Sequence, residues 1–133
     1  MQPTGTITRV DTALVDEWRT LLERHARTTS ALERRLQQEH ALGVSEYEVL
    51  ERLATAETDE RRMQELAEAV HLSQSALSRV VARLEADGLV KRGMCPSDRR
   101  GIMACITESG RERYESALPT HRAVLSETLG SVR

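Results

Sequence analysis

The stretch that decides the fold spans residues 64–107 and reads QELAEAVHLSQSALSRVVARLEADGLVKRGMCPSDRRGIMACIT. Apolar residues recur at helical spacing on both sides of a short break at His71, which predicts two helices joined by a tight turn. Two strand-like runs, residues 89–94 and 102–107, flank the turn-forming Pro96-Ser97-Asp98. Two helices followed by a hairpin indicate a winged helix-turn-helix, so double-stranded DNA is the first candidate partner.

The helix pair carries the packing and capping residues that this motif needs. Apolar positions expected between the two helices are Leu66, Val70, Leu72, Leu77 and Val80. Ser73 is a suitable N-cap for the second helix, and Gly88 stands where a left-handed residue would end it. His71 occupies the turn, where glycine is common, and histidine is among the residues that tolerate a positive φ.

The second helix has two faces of different chemistry. Its apolar stripe, at helical spacing, consists of Leu77, Val80, Val81 and Leu84. A recognition helix reads base edges with its N-terminal half and reaches bases or phosphates with later cations. We therefore predict DNA contacts from Ser73, Gln74, Ser75, Ser78, Arg79 and Arg83. An ordinary solvated face is the alternative for this helix by itself, and the hairpin that follows favours DNA binding.

The predicted hairpin ends in a basic loop. We expect the loop tip to present Arg99 and Arg100, whose guanidinium groups can enter a narrow minor groove or bind phosphates. Asp98 would be repelled by phosphate. We assign it a structural role, either pairing with Arg92 or Arg100 or capping the turn.

The distribution of charge agrees with this placement. The whole chain has a net charge of -2, which by itself argues against a nucleic-acid partner. Residues 1–60 hold 7 basic and 12 acidic groups, residues 61–107 hold 8 and 5, and residues 108–133 hold 4 and 4. A net positive charge is therefore confined to the predicted DNA-binding region.

These segments resemble the multiple-antibiotic-resistance regulator (MarR) family of bacterial transcription factors. The matching segments are residues 42–50 (LGVSEYEVL), 64–67 (QELA), 72–84 (LSQSALSRVVARL), 88–92 (GLVKR), 98–100 (DRR) and 106–110 (ITESG). The resemblance implies a dimeric winged-helix protein that binds a pseudo-palindromic operator and is often released by a small phenolic or oxidant signal. It also implies that Arg100, the second arginine of the wing motif, enters the minor groove.

Helical patterns also flank the central region. One long helix over residues 14–36 is predicted by an apolar set without proline: Leu14, Trp18, Leu21, Leu22, His25, Leu32 and Leu36. Gly43 is expected to end that helix, and Ser45-x-x-Glu48 to form a capping box for the next one. Thr107 is expected to cap a last helix, in which Pro119 should cause a kink.

The expected architecture is mainly α with a small β-hairpin wing, in a single domain over residues 1–133. Residues 45–107 would form the DNA-binding winged helix-turn-helix, and residues 1–42 and 108–133 the helices of a homodimer. Apolar contacts with the partner are expected from Leu118, Val124, Leu125 and Val132. Members of the family generally continue into a further helix that interlocks the two subunits. Because this chain ends at Arg133, we expect a smaller interface.

The composition of the chain limits its expected cellular location and the kind of ligand pocket it can form. No apolar run approaches the roughly 20 residues of a membrane span and no signal peptide opens the chain, so we expect a cytoplasmic protein without a membrane partner. Aromatic residues make up only 2% of the chain, so a ligand pocket would be mostly aliphatic. Trp18, His25 and Tyr47 are candidates for a site that binds a small aromatic or apolar effector. The alternative is that they belong to the core.

Other chemistries have less support in the sequence. Cys95 and Cys105 are candidates for a redox switch, but symmetric pairing about Asp98 puts Cys105 opposite Lys91 and leaves Cys95 in the loop. The histidines and cysteines lack the short paired spacing of a metal site. No nucleophile elbow, phosphate loop or zinc-helix motif is present, so neither catalysis nor a cofactor is expected. A second hypothesis is a winged-helix protein-interaction module that has lost operator binding. Whether binding depends on the DNA sequence would distinguish this module from a sequence-specific regulator.

Overall fold

The structure is a computed structural model that describes residues 9–95 and 98–130, and the side chains of these residues except 94, 95 and 98–101. The elements in chain order are α1 (Arg9–His40), α2 (Val44–Ala54), β1 (Glu60–Arg62), α3 (Met63–Ala69), α4 (Gln74–Ala86), β2 (Val90–Cys95), β3 (Asp98–Ile106) and α5 (Glu108–Leu129). The predicted fold class, mainly α with a small β wing, is confirmed. None of the described helices is long and apolar enough to cross a bilayer.

The wing is a three-stranded antiparallel sheet in the order β1-β3-β2. Two of its strands form the predicted hairpin, and Lys91 lies opposite Cys105 as expected. The third strand, β1, has no counterpart among the predicted strands because Glu-Arg-Arg lacks an apolar alternation. Its residues 60–62 are held in the sheet by pairing with residues 103–105 of β3.

The hairpin strands extend further than their sequence pattern indicates. Cys95 pairs with Asp98 and so lies in β2, not in the loop. Arg99 and Arg100 follow Asp98, and their backbones lie within β3. The prediction that these two residues stand in the loop is therefore wrong. The pairing of residues 95 and 98 leaves only two residues to connect the strands.

The connection between α1 and α2 also differs from the predicted one. Ala41, not Gly43, takes the left-handed conformation after α1, with a φ of 55°. Gly43 is instead the N-cap of α2, and Glu46 Oε1 accepts a hydrogen bond from its backbone N–H at 2.6 Å. The capping box predicted for Ser45 and Glu48 is therefore wrong by two residues, because the chain turns before Gly43.

Other local predictions are confirmed. The hydroxyls of Ser73 and Thr107 cap α4 and α5, accepting backbone hydrogen bonds at 3.1 and 3.0 Å. His71 and Gly88 both have positive φ, at 59° and 77°. α5 runs as one helix through Pro119, and the kink expected there stays a prediction.

The core lies where α2, α4, α5 and the C-terminal half of α1 meet. Its largest fully buried side chains include Leu36, Leu42, Tyr47, Leu50, Leu53, Leu66, Leu77, Leu84 and Leu89. Val124 of α5 is only 1% exposed, so the prediction that it contacts a partner subunit is wrong. Leu118 and Leu125 pack partly against the same core, and Val132 lies outside the described residues.

The two halves of α1 have different surroundings. The helix has 32 residues, a length of about 48 Å at the standard rise, and its buried residues are Thr28, Leu32 and Leu36. Residues 9–27, which we call the α1 arm, contain no buried residue. Large apolar side chains exposed along the α1 arm are Val10, Leu14, Val15, Trp18, Leu21 and Leu22.

Candidate nucleic-acid interface

α4 presents a polar surface opposite the side chains that hold it in the subunit. The predicted apolar stripe, Leu77, Val80, Val81 and Leu84, is buried. Exposed on the other side are Ser73, Gln74, Ser75, Arg79 and Arg83. The structure thus places hydroxyl, amide and guanidinium groups along one helix, and such groups bind base edges and phosphates.

Ser78 differs from its neighbours because it is tied to the wing. It is partly buried, and its Oγ accepts a hydrogen bond from Nη1 of Arg92 on β2 at 3.1 Å. The second guanidinium nitrogen of Arg92 lies 3.0 Å from Glu85, two turns further along α4. Arg92 therefore braces the wing against α4. Sequence reasoning missed this role, although the seven-residue spacing of Ser78 and Glu85 puts them on one helix face.

A groove separates α4 from the wing and the start of α3. It has a volume of about 640 Å³, and Gln74, Ser75, Ser78 and Arg92 form part of its lining. Ile102 of β3 also lines it and is half exposed. The polar face of α4 and the wing therefore border one concave surface.

Arg83 is directed toward α2. Its Nε lies 3.5 Å from Glu46 Oε2, and its side chain is 67% exposed. An ion pair this exposed contributes little to stability, so the guanidinium can exchange Glu46 for a phosphate at small cost. Arg79, one turn earlier on α4, is exposed as well.

The wing arginines are located through their backbone. Arg99 and Arg100 lie in the first residues of β3, next to the connection between the hairpin strands. Their guanidinium groups and the carboxylate of Asp98 lie outside the described side chains, so their predicted contacts stay predictions. Arg92, one of the two partners expected for Asp98, contacts Glu85.

The three candidate effector-binding residues do not meet within one chain. Trp18 and His25 are exposed on the α1 arm, whereas Tyr47 is completely buried. The Tyr47 ring stacks on that of His121, with centroids 4.3 Å apart. Of the three, only Tyr47 belongs to the core. Within one chain the three residues therefore form neither a common pocket nor a common part of the core.

The two cysteines are far apart along the hairpin. Cys105 pairs with Lys91 and Cys95 with Asp98, so the two positions differ by four residues along β2, or about 13 Å. A disulfide requires Cα atoms within about 7 Å, so an internal bridge would need rearrangement, as predicted. Burial raises the pKa of the Cys105 thiol, and the charges of Glu60 and Asp59 add to this. Both effects make this thiol less reactive.

The end of α4 is joined directly to the start of α5. The Thr107 hydroxyl donates to Gly88 O at 2.7 Å, and the Thr107 N–H donates to Leu89 O at 3.1 Å. Gly110 lies so close to this turn that a Cβ there would be 2.1 Å from Leu89 O. The polar face of α4 is thus held in a fixed orientation relative to α5.

A helix pair whose second member exposes a polar and cationic face, next to a three-stranded wing, defines a winged helix-turn-helix protein of the class that binds DNA. A family model described as the MarR family matches residues 40–101. The chain is 36% identical to AbsC, a MarR family transcriptional regulator from Streptomyces coelicolor, with a TM-score of 0.83 over 96% of this chain and 84% of that one. This chain belongs to the MarR family of transcriptional regulators.

Two further relatives extend the comparison. Sco3205 of Streptomyces coelicolor, a MarR family regulator whose crystal structure is in complex with DNA, is 31% identical, with a TM-score of 0.83 over 96% of this chain and 79% of that one. The transcriptional repressor NicR of Pseudomonas putida is 32% identical over 68 residues, which are 51% of this chain and 43% of NicR. The chain spans about half the length of the curated relatives it matches.

Proposed function

We propose that this chain is a transcriptional repressor that binds a pseudo-palindromic DNA operator as a homodimer. The observation that carries the proposal is the outward face of α4, where polar and cationic side chains are exposed opposite a buried apolar stripe. Two relatives support the proposal: Sco3205 is bound to DNA in its crystal structure, and NicR is a transcriptional repressor.

Within this proposal the residues of the interface have separate tasks. Gln74 and Ser75 read base edges in the major groove, since they lie in the first turn of α4, and Ser73 contributes its hydroxyl beside them. Arg79 and Arg83 contact bases or phosphates further along. Ser78, held by Arg92, positions the helix more than it reads a base. Arg99 and Arg100 bind the minor groove or its phosphates from the wing.

The α1 arm supports the proposed homodimer. Leu14, Trp18 and Leu21 stand at spacings of four and three residues, as in the seam of a helix packed lengthwise on another helix. Trp18 is 58% exposed in the single chain, and a second copy would remove it from water. A recognition helix covers few base pairs, so two copies held about 34 Å apart would supply the specificity that one lacks.

Release of the DNA by a small aromatic or apolar effector is the part of the proposal that rests on the family resemblance. Because Trp18 and His25 are exposed on the α1 arm, an effector site containing either of them would need a partner subunit to cover it.

The experiment is selection of genomic DNA fragments with the purified protein, followed by titration of the selected site. We expect an enriched inverted repeat, and affinity that falls sharply when one half-site is scrambled. Equal affinity for the intact and the half-scrambled site would contradict the dimeric operator complex. Binding without any sequence preference would favour the protein-interaction module instead.

A further inference from the structure

A second polar cluster lies between α2 and α5. It consists of Glu48 and Glu51 on α2 and His121 and Arg122 on α5. His121 is buried, and its Nε2 lies 3.6 Å from Glu48 Oε2. Arg122 contacts both neighbours, since its Nη1 lies 2.5 Å from His121 Nδ1 and its Nη2 donates to Glu51 Oε2. The cluster thus combines one imidazole, two carboxylates and one guanidinium.

Tyr47 provides an independent indication that a ligand belongs in this cluster. It is completely buried and stacks on His121, and its hydroxyl has no hydrogen-bond partner among the described residues. The stacked rings place Tyr47 directly against the imidazole of the cluster, with their centroids 4.3 Å apart. Buried hydroxyls are normally satisfied by protein, water or an ion.

We propose that Glu48, Glu51 and His121 bind a divalent transition-metal ion, of which Zn²⁺ suits their donors best. One ligand atom from each residue lies within 4.8 Å of the others. Neighbouring donors of tetrahedral zinc lie roughly 3.4 Å apart at the usual bond lengths. The 3.6 Å between His121 Nε2 and Glu48 Oε2 is close to this separation. To complete the set, the Glu51 carboxylate would have to turn away from Arg122 and the Tyr114 hydroxyl, which it now contacts. A water in the fourth position would bond the Tyr47 hydroxyl.

Spacing along the chain could not reveal this site. Sequence signatures of metal sites are closely paired histidines and cysteines. These ligands are instead two carboxylates three residues apart on one helix and a histidine 70 residues after the second carboxylate. Glu48 and Glu51 share a face of α2 because residues three apart are neighbours on a helix. The packing of α5 on α2 adds His121 to them.

Arg122 sets the tautomer of His121 when no metal is bound. A guanidinium has no acceptor, so Nδ1 of neutral His121 accepts from Arg122 and the ring proton is on Nε2. Metal binding needs the lone pair of Nε2, so the proton moves to Nδ1 and Arg122 leaves that nitrogen. Arg122 also neutralises Glu51. It therefore competes with the metal ion.

The first test is titration of the purified, untagged full-length protein with Zn²⁺ against a chromophoric chelator. We expect one tightly bound ion per chain. Glu48→Gln and His121→Gln each remove a proposed metal ligand. Loss of an outer-shell partner weakens metal binding by about 10- to 100-fold, and each of these variants should weaken it by more than that. Glu115→Gln, which removes an exposed carboxylate of α5, should leave it unchanged. Absence of stoichiometric binding, or undiminished binding by the Glu48→Gln variant, would overturn the proposal.

A second measurement separates this site from other ligands. Bound Co²⁺ should give the visible absorption of a four- or five-coordinate ion, and the band should disappear in Glu48→Gln and persist in Cys105→Ser. Loss of the band in Cys105→Ser would move the site to the thiol and overturn the assignment. Arg122→Gln should bind Zn²⁺ several-fold more tightly than the wild type, and weaker binding would overturn its role as a competitor. Circular dichroism establishes whether each variant is folded. If His121→Gln does not fold, the Glu48→Gln variant alone is enough to test the site.

Discussion

α4 and the α1 arm have similar sequence patterns, but their apolar stripes differ in exposure to solvent. Both carry apolar residues at helical spacing, but α4 buries its stripe in the subunit, whereas the α1 arm leaves Leu14, Trp18 and Leu21 about half exposed. What α4 exposes is instead polar and cationic. The spacing of apolar residues therefore predicts that a helix has a face to bury, and does not indicate which molecule buries it.

The largest expected effect comes from making the α1 arm polar. Trp18→Glu together with Leu21→Glu should weaken the proposed dimer by at least about 100-fold. Each large apolar side chain contributes about 1.5–3 kcal/mol when buried, and 1.4 kcal/mol is a factor of ten. Sedimentation equilibrium measures the dissociation constant.

The matched control for this substitution is Thr20→Glu, which adds a carboxylate to the opposite side of the same exposed helix. It should leave the dimer intact. If the double variant dimerises as strongly as the control, the α1 arm is not the interface.

The next effect concerns the polar surface of α4. Gln74→Ala should reduce discrimination at one operator position by about 1–3 kcal/mol, the usual contribution of a good base contact. Binding selection with the variant measures this as a relaxed preference at that position. Ala86→Ser, at the exposed far end of α4, is the control and should select the parent motif. An unchanged motif for both variants would place base reading outside the first turn of α4.

A third prediction separates positioning contacts from base reading. Arg100→Ala should weaken binding to all sites several-fold and lower the salt dependence of log K by about 0.9, as expected for one lost phosphate or minor-groove contact. Fluorescence anisotropy at several salt concentrations measures both. A salt dependence equal to that of the wild type would remove Arg100 from the interface.

The smallest expected effect concerns the brace between α4 and the wing. Arg92→Ala removes the contacts with Ser78 and Glu85 and should lower the free energy of unfolding by about 1 kcal/mol, since the pair is partly solvated. Lys91→Ala, its exposed neighbour on β2, should change stability by less. Urea denaturation compares the two. Equal stabilities would mean that Arg92 does not brace the wing.

Predictions from the sequence were accurate where the deciding chemistry is local. Ser73 and Thr107 cap their helices because a hydroxyl needs only the amides of the next turn. His71 and Gly88 take positive φ because the turns require it at those positions. The apolar stripe of α4 is buried because its spacing matches the helical period.

Predictions failed where distant parts of the chain decide. β1 exists because β3 supplies hydrogen-bond partners more than 40 residues away, which no local pattern indicates. Val124 is buried by its own subunit, although its spacing fits a partner contact equally well. Trp18 and Tyr47 look alike as aromatic members of helical stripes, yet one is exposed and the other lies in the core.

The joint between α4 and α5 determines which parts of the molecule can move separately. Because Thr107 bonds the turn after α4 and Gly110 leaves no space between the two backbones, we expect the end of α4 and the first turn of α5 to move together. In a dimer, a change in the distance between the two α4 helices would therefore require motion of α5 itself. The natural point for such bending is Pro119, where α5 lacks one backbone hydrogen bond.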